Sequence, residues 1–264
     1  MIRDVLGRPF ELTTAPRRVV SLVPSLTETL FDLGAGDSVV AITDFCIFPP
    51  ALDRPRVGGT KNPRVAEIRA LAPDLVHVNL EENLRRHADA IGTFAPVFVS
   101  EPKSVEDVAT LIEQLGEIHD RRARAAELAG ALREELATMP HQSFTFACPI
   151  WKSPWMWCGG DTYVSQLVEA AGGRNVLADR DRYPQLELGD LLALRPEVIF
   201  LPDEPYVFTA EDARTIEGPR VIGPFPGHLF TWHGTRTILG LRFLRKLGAP
   251  ARKRQSGRGS RKED

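Results

Sequence analysis

The chain has 264 residues, 43% of them hydrophobic and 26% charged, enough apolar material for one large core or two lobes of ordinary size. A formal net charge of −2 gives no electrostatic ground for nucleic acid or an anionic membrane as partner. No run approaches the roughly 20 apolar residues that cross a bilayer, and the opening MIRDVLGRPFELTTAPRR lacks the apolar stretch of a secretory leader. As it stands the sequence reads as cytoplasmic, with a periplasmic or cell-surface location as the alternative if the true start lies upstream.

In chain order, the residues from Ile2 to Ala15 read as a hairpin around Gly7 and Arg8, followed by a core strand from Arg18 to Val23. Ser25 and Glu28 have the S-x-x-E spacing of a capping box at a helix start. Gly34 and Gly36 then turn the chain into a strand from Ser38 to Thr43, and the stretch DFCIFPPALDRPRVGGTKNP is too punctuated by proline to form an element. EIRALAPDLVHVNLEE reads as a helix that stops before Pro73 and a strand after it; a helix from Glu82 to Ile91 and a strand from Val97 to Ser100 follow. From Ser104 to Thr138 the pattern is sustained helix, started by Ser104 and Asp107, with a break near Gly116, His119 and Asp120. Roughly 18 helical residues beyond that break would run about 27 Å, enough to pass from one lobe to another.

The second half opens with a buried strand, Phe144 to Trp151, and a helix capped by Asp161 or Thr162. The Asp190 helix, a strand to Leu201, strands near Arg220 to Ile222 and Leu229 to Thr231, and a helix from Thr235 to Leu247 complete it. The end, ARKRQSGRGSRKED, reads as a solvated, disordered basic tail, or as a scaffold segment that recruits a partner.

Two phrases nearly repeat. EIRALAPDLVHVNLEE matches DLLALRPEVIFLPDE position by position: Glu67 with Asp190, Ile68 with Leu191, Pro73 with Pro196, Asp74 with Glu197, each followed by an apolar run ending in two acids. VVSLVPSLTETLFDLGAG has a more distant echo in CGGDTYVSQLVEAAGG. A helix, a proline and a buried strand are half of a parallel α/β unit, so the expected fold class is α/β: two Rossmann-like lobes with a central ligand cleft, joined by a single long interlobe helix. The expected division is an N-terminal lobe over 1–118, the interlobe helix over 119–139, a C-terminal lobe over 140–250 and the tail over 251–264.

In such a fold the active surface lies where strand-end loops of both halves converge. Those loops hold all four tryptophans, Trp151, Trp155, Trp157 and Trp232, with Phe45, Phe48, Tyr183 and Tyr206. Stiff aromatic faces suit a broad planar or macrocyclic ligand, although tryptophans also close clefts by packing. Cys46 reads as a soft metal ligand or as a small buried side chain, and His233 as a ligand or a hydrogen-bonding residue. The acid pairs Glu81 with Glu82 and Asp203 with Glu204 suit a cation or ligand amides, or are exposed acids at strand ends. Lys61 and Asn62 suit carboxylate or amide groups. Three cysteines, odd in number and without C-x-x-C spacing, read as reduced thiols. Metalloprotease, phosphate-loop and nucleophile-elbow motifs are absent from the sequence, and LGAG follows a helix where a dinucleotide loop follows a strand.

The order of RRVVSLVPSLTETLFDLGAGDSVVAIT, PRVGGTKNPRVAEIRALAPDLVHVNLEEN, one interlobe helix, GGDTYVSQLVEAAGGRNVLAD and RYPQLELGDLLALRPEVIFLPDE resembles the cobalamin, haem and iron-siderophore substrate-binding proteins of ABC importers. The resemblance implies a cleft-on-a-helical-backbone fold to about residue 250 and a monomeric binding protein, not an enzyme. Its ligand would be cobalamin, haem or a ferric siderophore, with no tightly required cofactor. It implies that Tyr183, before the Pro-Gln of the second lobe, flanks the ligand; the matching aromatic of the first lobe falls near Thr60. It also implies a glutamate on each lobe to meet an ABC permease, and these positions fall at Ala66 and Gly189, beside Glu67 and Asp190. The reading from another class is a cytosolic enzyme or metal-transfer protein using Cys46, His233 and the acid pairs.

Overall fold

The computed structural model describes residues 2–10, 14–140 and 143–248; the basic tail and the last two residues of the second lobe lie outside them. In order, the elements are β1 Ile2–Arg3, β2 Pro9–Phe10, β3 Val19–Ser21, α1 Pro24–Asp32, β4 Val39–Ile42, α2 Val65–Ala70, β5 Leu75–Asn79, α3 Arg85–Gly92, β6 Val97–Ser100, α4 Val105–Ile118 and α5 Arg122–Ala137. There follow β7 Phe144–Ala147, β8 Pro149–Trp151, β9 Met156–Trp157, α6 Tyr163–Ala170, β10 Gly173–Asn175, α7 Leu188–Ala193, β11 Val198–Pro202, α8 Ala210–Arg214, β12 Arg220–Phe225, α9 His228–Thr231 and α10 Thr237–Leu247.

Two parallel four-stranded sheets dominate, ordered β4-β3-β5-β6 and β10-β7-β11-β12. Numbered within its own half, each sheet runs second, first, third, fourth, so the repeated phrases occupy the same place in both. The equivalence extends to single residues. Ala72 and Arg195, each just before the proline, take left-handed φ of 43° and 56°. The carboxylate of Asp74 accepts from the backbone N–H groups of Arg17 and Arg18 at 2.8 and 2.9 Å, and that of Glu197 accepts from Thr145 N–H at 2.7 Å. In both halves an acid at the foot of the third strand thereby ties down the beginning of the first.

Successive strand residues enter opposite faces, and both faces are buried. Val19, Leu75 and Phe98 pack toward α1 and α4, while Val20, Val76, Val78 and Val99 pack toward α2 and α3. In the second sheet Val198 and Phe200 alternate with Ile199 and Leu201 in the same way. The first of these cores is continuous between the lobes, passing through Ile112 and Leu115 of α4 and Ala129 and Leu132 of α5.

The helical stretch divides at His119–Arg121, where Asp120 has φ 54°. Ser104 and Asp107 form the expected capping box of α4. A Cβ on Gly116 would lie 2.2 Å from the Ala125 Cβ, so glycine is what lets α5 lie flat against α4 as it leads into β7. Arg133 of α5 also pairs with Glu106 and Glu113 of α4.

Four expected elements differ. Ser25 and Glu28 form no capping box: Val23 is the N-cap, Pro24 opens α1, and both polar side chains turn toward the second lobe. The helix expected from Glu82 begins at Arg85, because Asn79 Oδ1 accepts from the N–H groups of Glu81 and Glu82, and Asn83 Oδ1 from Asn79 N–H, locking a turn ahead of it. The strand expected from Phe144 to Trp151 breaks at Cys148 into β7 and the hairpin strand β8. The segment Leu229 to Thr231 is helix α9, which buries Phe230 against Phe200 and Phe225 while Thr231 donates back to Gly227 O at 3.1 Å.

Candidate functional site

The strand order of each sheet reverses direction beside its first strand, the place where open α/β sheets bind ligands, and loops at the carboxyl ends of the two sheets meet there. In the first lobe these are the loops after β3, β4 and β5; in the second, the β8–β9 hairpin and the loops after β10, β11 and β12.

At the base of the crevice the lobes meet in a polar seam. Arg236, nearly buried, grips the Glu28 carboxylate through Nε at 2.6 Å and through Nη2, and its Nη1 lies 3.2 Å from His228 Nδ1. The same guanidinium lies 3.6 Å from the centre of the Phe48 ring and 5.6 Å from that of Trp232, a cation held over two aromatic faces. Burial pushes the Glu28 carboxyl up, and its hydrogen bonds from Arg236 pull it back. Gly234 has φ 90°, and a Cβ there would lie 2.2 Å from Thr29 Oγ1, so the loop after α9 presses directly on α1. Thr235 donates to Asp32 at 2.6 Å, and His233 Nε2 lies 3.5 Å from Ser25 Oγ.

Above the seam, Glu81 of the first lobe accepts from Arg182 Nη1 at 2.6 Å and from Tyr183 OH at 3.1 Å, both of the second. Lys61 donates to the Glu81 carbonyl. The neighbouring acids turn inward. Burial raises the Glu82 carboxyl, and Lys61 draws it partly back. Burial likewise raises Glu204, which accepts from Thr231; the charges of Asp203 and of Glu82 across the crevice push it further. Asp203 accepts from Gly227 N–H at 2.7 Å. The two acid pairs stand at equivalent strand ends, one on each lobe, each with its own partners, and the Glu82 and Glu204 carboxyls favour the protonated form more than free carboxylic acids do.

The aromatic candidates separate. Phe45 is 60% exposed on the first-lobe wall, its ring against Gly59 beside Thr60, and Trp151 is 43% exposed at the tip of β8, edge-on to Tyr206 at 5.4 Å. Ile47, Leu80 and Val207, in loops of the same rim, are also exposed. Trp232 is half-buried, edge-on to Phe48 at 5.8 Å, and Tyr183 is half-buried under Glu81. Trp155 does not face the crevice: it stacks between Trp157 at 5.2 Å and Phe208 at 5.8 Å in the second lobe's core. Thr60 is buried, and its carbonyl accepts from Asn83 at 2.9 Å.

Cys46 and His233 offer no metal centre. Cys46 is fully buried, its Sγ 3.2 Å from both Thr27 and Thr43 hydroxyls. His233 is buried against Tyr163, and burial holds it neutral, down to about 4. Among the described residues no group of three or more His, Cys, Asp or Glu side chains is placed to hold a metal ion. Sequence reading missed Glu28, Arg236 and Arg182. For Glu28 the signal was present as Ser25-x-x-Glu28 but pointed to a local cap; Arg182 stands beside Tyr183 in the chain.

The periplasmic binding protein family model matches residues 19–217. The vitamin B12-binding protein of Vibrio parahaemolyticus is 28% identical over 191 residues, 69% of this chain and 70% of that protein. An uncharacterized ABC transporter substrate-binding lipoprotein of Bacillus subtilis, YvrC, is 26% identical over 216 residues, 76% of this chain and 68% of its own. Among solved structures, the periplasmic vitamin B12-binding protein BtuF of Vibrio cholerae superposes with a TM-score of 0.74 at 21% identity, covering 88% of this chain and 96% of that one. The periplasmic heme-binding protein RhuT from Roseiflexus gives 0.76 at 22% identity, covering 87% and 97%. These structural likenesses carry the fold.

Proposed function

The chain belongs to the periplasmic binding protein family, and from that premise we propose that it captures a corrinoid-like metal chelate between its lobes and presents it to an ABC uptake system. The cytoplasmic location expected from the opening residues is corrected: the family is periplasmic and one relative is a lipoprotein, which points to an extracytoplasmic protein. The fold and relatives are those of solute-binding proteins, so the enzyme and metal-transfer reading is set aside.

The observation that supports the choice of ligand is that Glu82 and Glu204, which follow β5 and β11 on the two lobes, each carry a carboxyl raised by burial. A carboxyl with a raised pKa can both accept and donate hydrogen bonds. A corrin carries amide side chains whose N–H groups donate to carboxyl oxygens and whose carbonyls accept from a protonated carboxyl, so they suit Glu82 and Glu204 in either protonation state. Phe45 and Trp151 supply apolar faces on opposite walls, with Phe45 serving where the matching first-lobe aromatic falls at Thr60. Glu67 and Asp190 are exposed at the third position of equivalent helices α2 and α7, one on each lobe, and form the pair offered to a permease.

The test is a thermal shift and absorption titration with cyanocobalamin, hemin and a ferric hydroxamate siderophore. A ligand bound only by the native state stabilises it by about 2.7 kcal/mol at a hundredfold excess over Kd. Cyanocobalamin alone should raise Tm. A shift with hemin or the siderophore but not the corrinoid would overturn the choice of ligand, and no shift with any of them would remove the crevice as a chelate site.

A further inference from the structure

The three cysteines suit a reducing compartment when read by number alone, but an extracytoplasmic protein folds among disulfide donors. Their placement then matters. Cys148 and Cys158 flank the β8–β9 hairpin, whose register sets Pro149 opposite Trp157 and thus Cys148 opposite Cys158. Cys158 N–H donates to the Cys148 carbonyl at 2.8 Å, and both side chains are fully buried. Directly opposed residues of an antiparallel ladder have Cα atoms about 4.5–5.5 Å apart, within the roughly 4.4–6.8 Å that a disulfide spans. Cys148 Sγ lies 3.8 Å from the Pro149 carbonyl, on the hairpin it flanks. Cys46 stands in the other lobe, engaged with Thr27 and Thr43.

We infer that Cys148 and Cys158 are a cross-linking site, joined by a disulfide when the chain folds in an oxidising compartment, and that the bond pins the hairpin carrying Trp151 at the rim of the crevice. This rests on the extracytoplasmic placement and not on which ligand the crevice takes. The oxidant is a dithiol–disulfide donor. The thiolate of one cysteine attacks the donor disulfide, forming a mixed disulfide and releasing one donor sulfur as thiolate. The thiolate of the other then attacks the protein sulfur of that mixed disulfide, forming the Sγ–Sγ bond and releasing the second donor sulfur. Two electrons pass to the donor, and the two thiol protons go to solvent or to the released thiolates. Burial pushes the Cys148 thiol up and shields it in the folded protein. Exchange therefore occurs while the hairpin is still open, and packing afterwards seals the bond.

The test uses the full chain, produced by export to an oxidising compartment and also refolded from the reduced, denatured state in a glutathione redox buffer. Denatured without reductant and alkylated, it should show one reactive thiol of its three, an intact mass about 2 Da below the reduced form, and a cross-linked peptide pair containing Cys148 and Cys158. Three reactive thiols, or a bond that involves Cys46, overturns the assignment. Amide hydrogen exchange of oxidised against reduced protein reads the second part: exchange across 149–157 should quicken on reduction while α1 is unchanged. Equal exchange would leave the bond without a hold on the hairpin and overturn that part. No variant or ligand is needed, so a failed corrinoid titration and a failed cross-link are separate results.

Discussion

Arg236 holds Glu28 across the seam, a buried cation and a part-buried carboxylate separated by 208 positions in the chain and brought fork to fork between the lobes. Removing one partner leaves the other buried and unpaired, so Arg236→Ala should destabilise the protein by about 3 kcal/mol, read by urea unfolding. Glu28→Gln with Arg236→Met should recover part of that loss, because replacing both charges strands neither. A single variant that unfolds at the wild-type midpoint would show the seam to be held by packing alone.

Stability should fall between neutral and mildly acidic pH because of histidines. His77 and His119 touch through Nε2 atoms 2.9 Å apart, both buried, with neither Nδ1 hydrogen-bonded. Burial lowers both, His77 further through its neighbour, and His119 reaches about 4, as does His233. An unfolded histidine titrates near 6.5, so the unfolded chain binds more protons in this window and acid favours it. The stabilisation is complete above about 6.5 and is lost as pH falls toward 4, on the order of 3 kcal/mol for each of His119 and His233. Glu82 and Glu204, raised by burial, act with the opposite sign. The comparison that isolates the pair is wild type against His77→Leu/His119→Leu, unfolded in urea at pH 7.5 and 5. The variant should show the shallower pH dependence, and parallel curves would exclude the pair as its source.

Ala72 and Arg195 occupy the same left-handed position in the two halves. Glycine takes that conformation without a Cβ clash, so Ala72→Gly and Arg195→Gly should each stabilise by about 0.5–1 kcal/mol after the entropy of the freer unfolded chain is counted. Asp74→Ala and Glu197→Ala should each destabilise by about 1–2 kcal/mol through lost strand-anchoring hydrogen bonds. Urea midpoints moving in opposite directions for the two pairs, alike in both halves, would match; effects confined to one half would mean that the duplication is one of topology and not of energetics.

The duplication was legible because its parts are local: a short helix, a proline and an apolar run need no partner to be recognised, and each recurs at a fixed interval. The position of the acids was legible for the same reason, since they stand at the ends of those runs. What escaped depends on distant partners. Ser25 and Glu28 have the spacing of a cap, and only the second lobe, some two hundred residues on, turns them outward. Trp151 and Trp155 sit in one loop, but the β8–β9 ladder shifts register between Pro149 and Trp151, so alternation could not say which ring faces the core. Cys148 and Cys158 likewise become a pair only once that register is known.

Glu67 and Asp190 should matter for delivery and not for capture. Both are exposed and lie on the outer helices α2 and α7, away from the crevice loops. Charge reversal to Glu67→Lys/Asp190→Lys should leave the chelate Kd within about twofold while reducing transporter-stimulated uptake at least tenfold, since it inverts the sign of both charges offered to the permease. Uptake at the wild-type rate would move the docking surface elsewhere.

Two tryptophans four positions apart should fail in different ways. Trp155 stacks between Trp157 and Phe208 and is 8% exposed, so Trp155→Ala opens a cavity and should destabilise by about 3–5 kcal/mol. Trp151 is 43% exposed and touches Tyr206 by its edge, so Trp151→Ala should leave the unfolding midpoint nearly unchanged. Its effect should appear in binding, where losing a large aromatic face on one wall costs about 1–2 kcal/mol, a roughly tenfold rise in Kd. Titration of both variants with the chelate, beside urea unfolding, reads the two outcomes together. Unchanged affinity in the Trp151 variant would place the ligand deeper, against Tyr183 and Trp232, and leave the exposed rim as a path of entry.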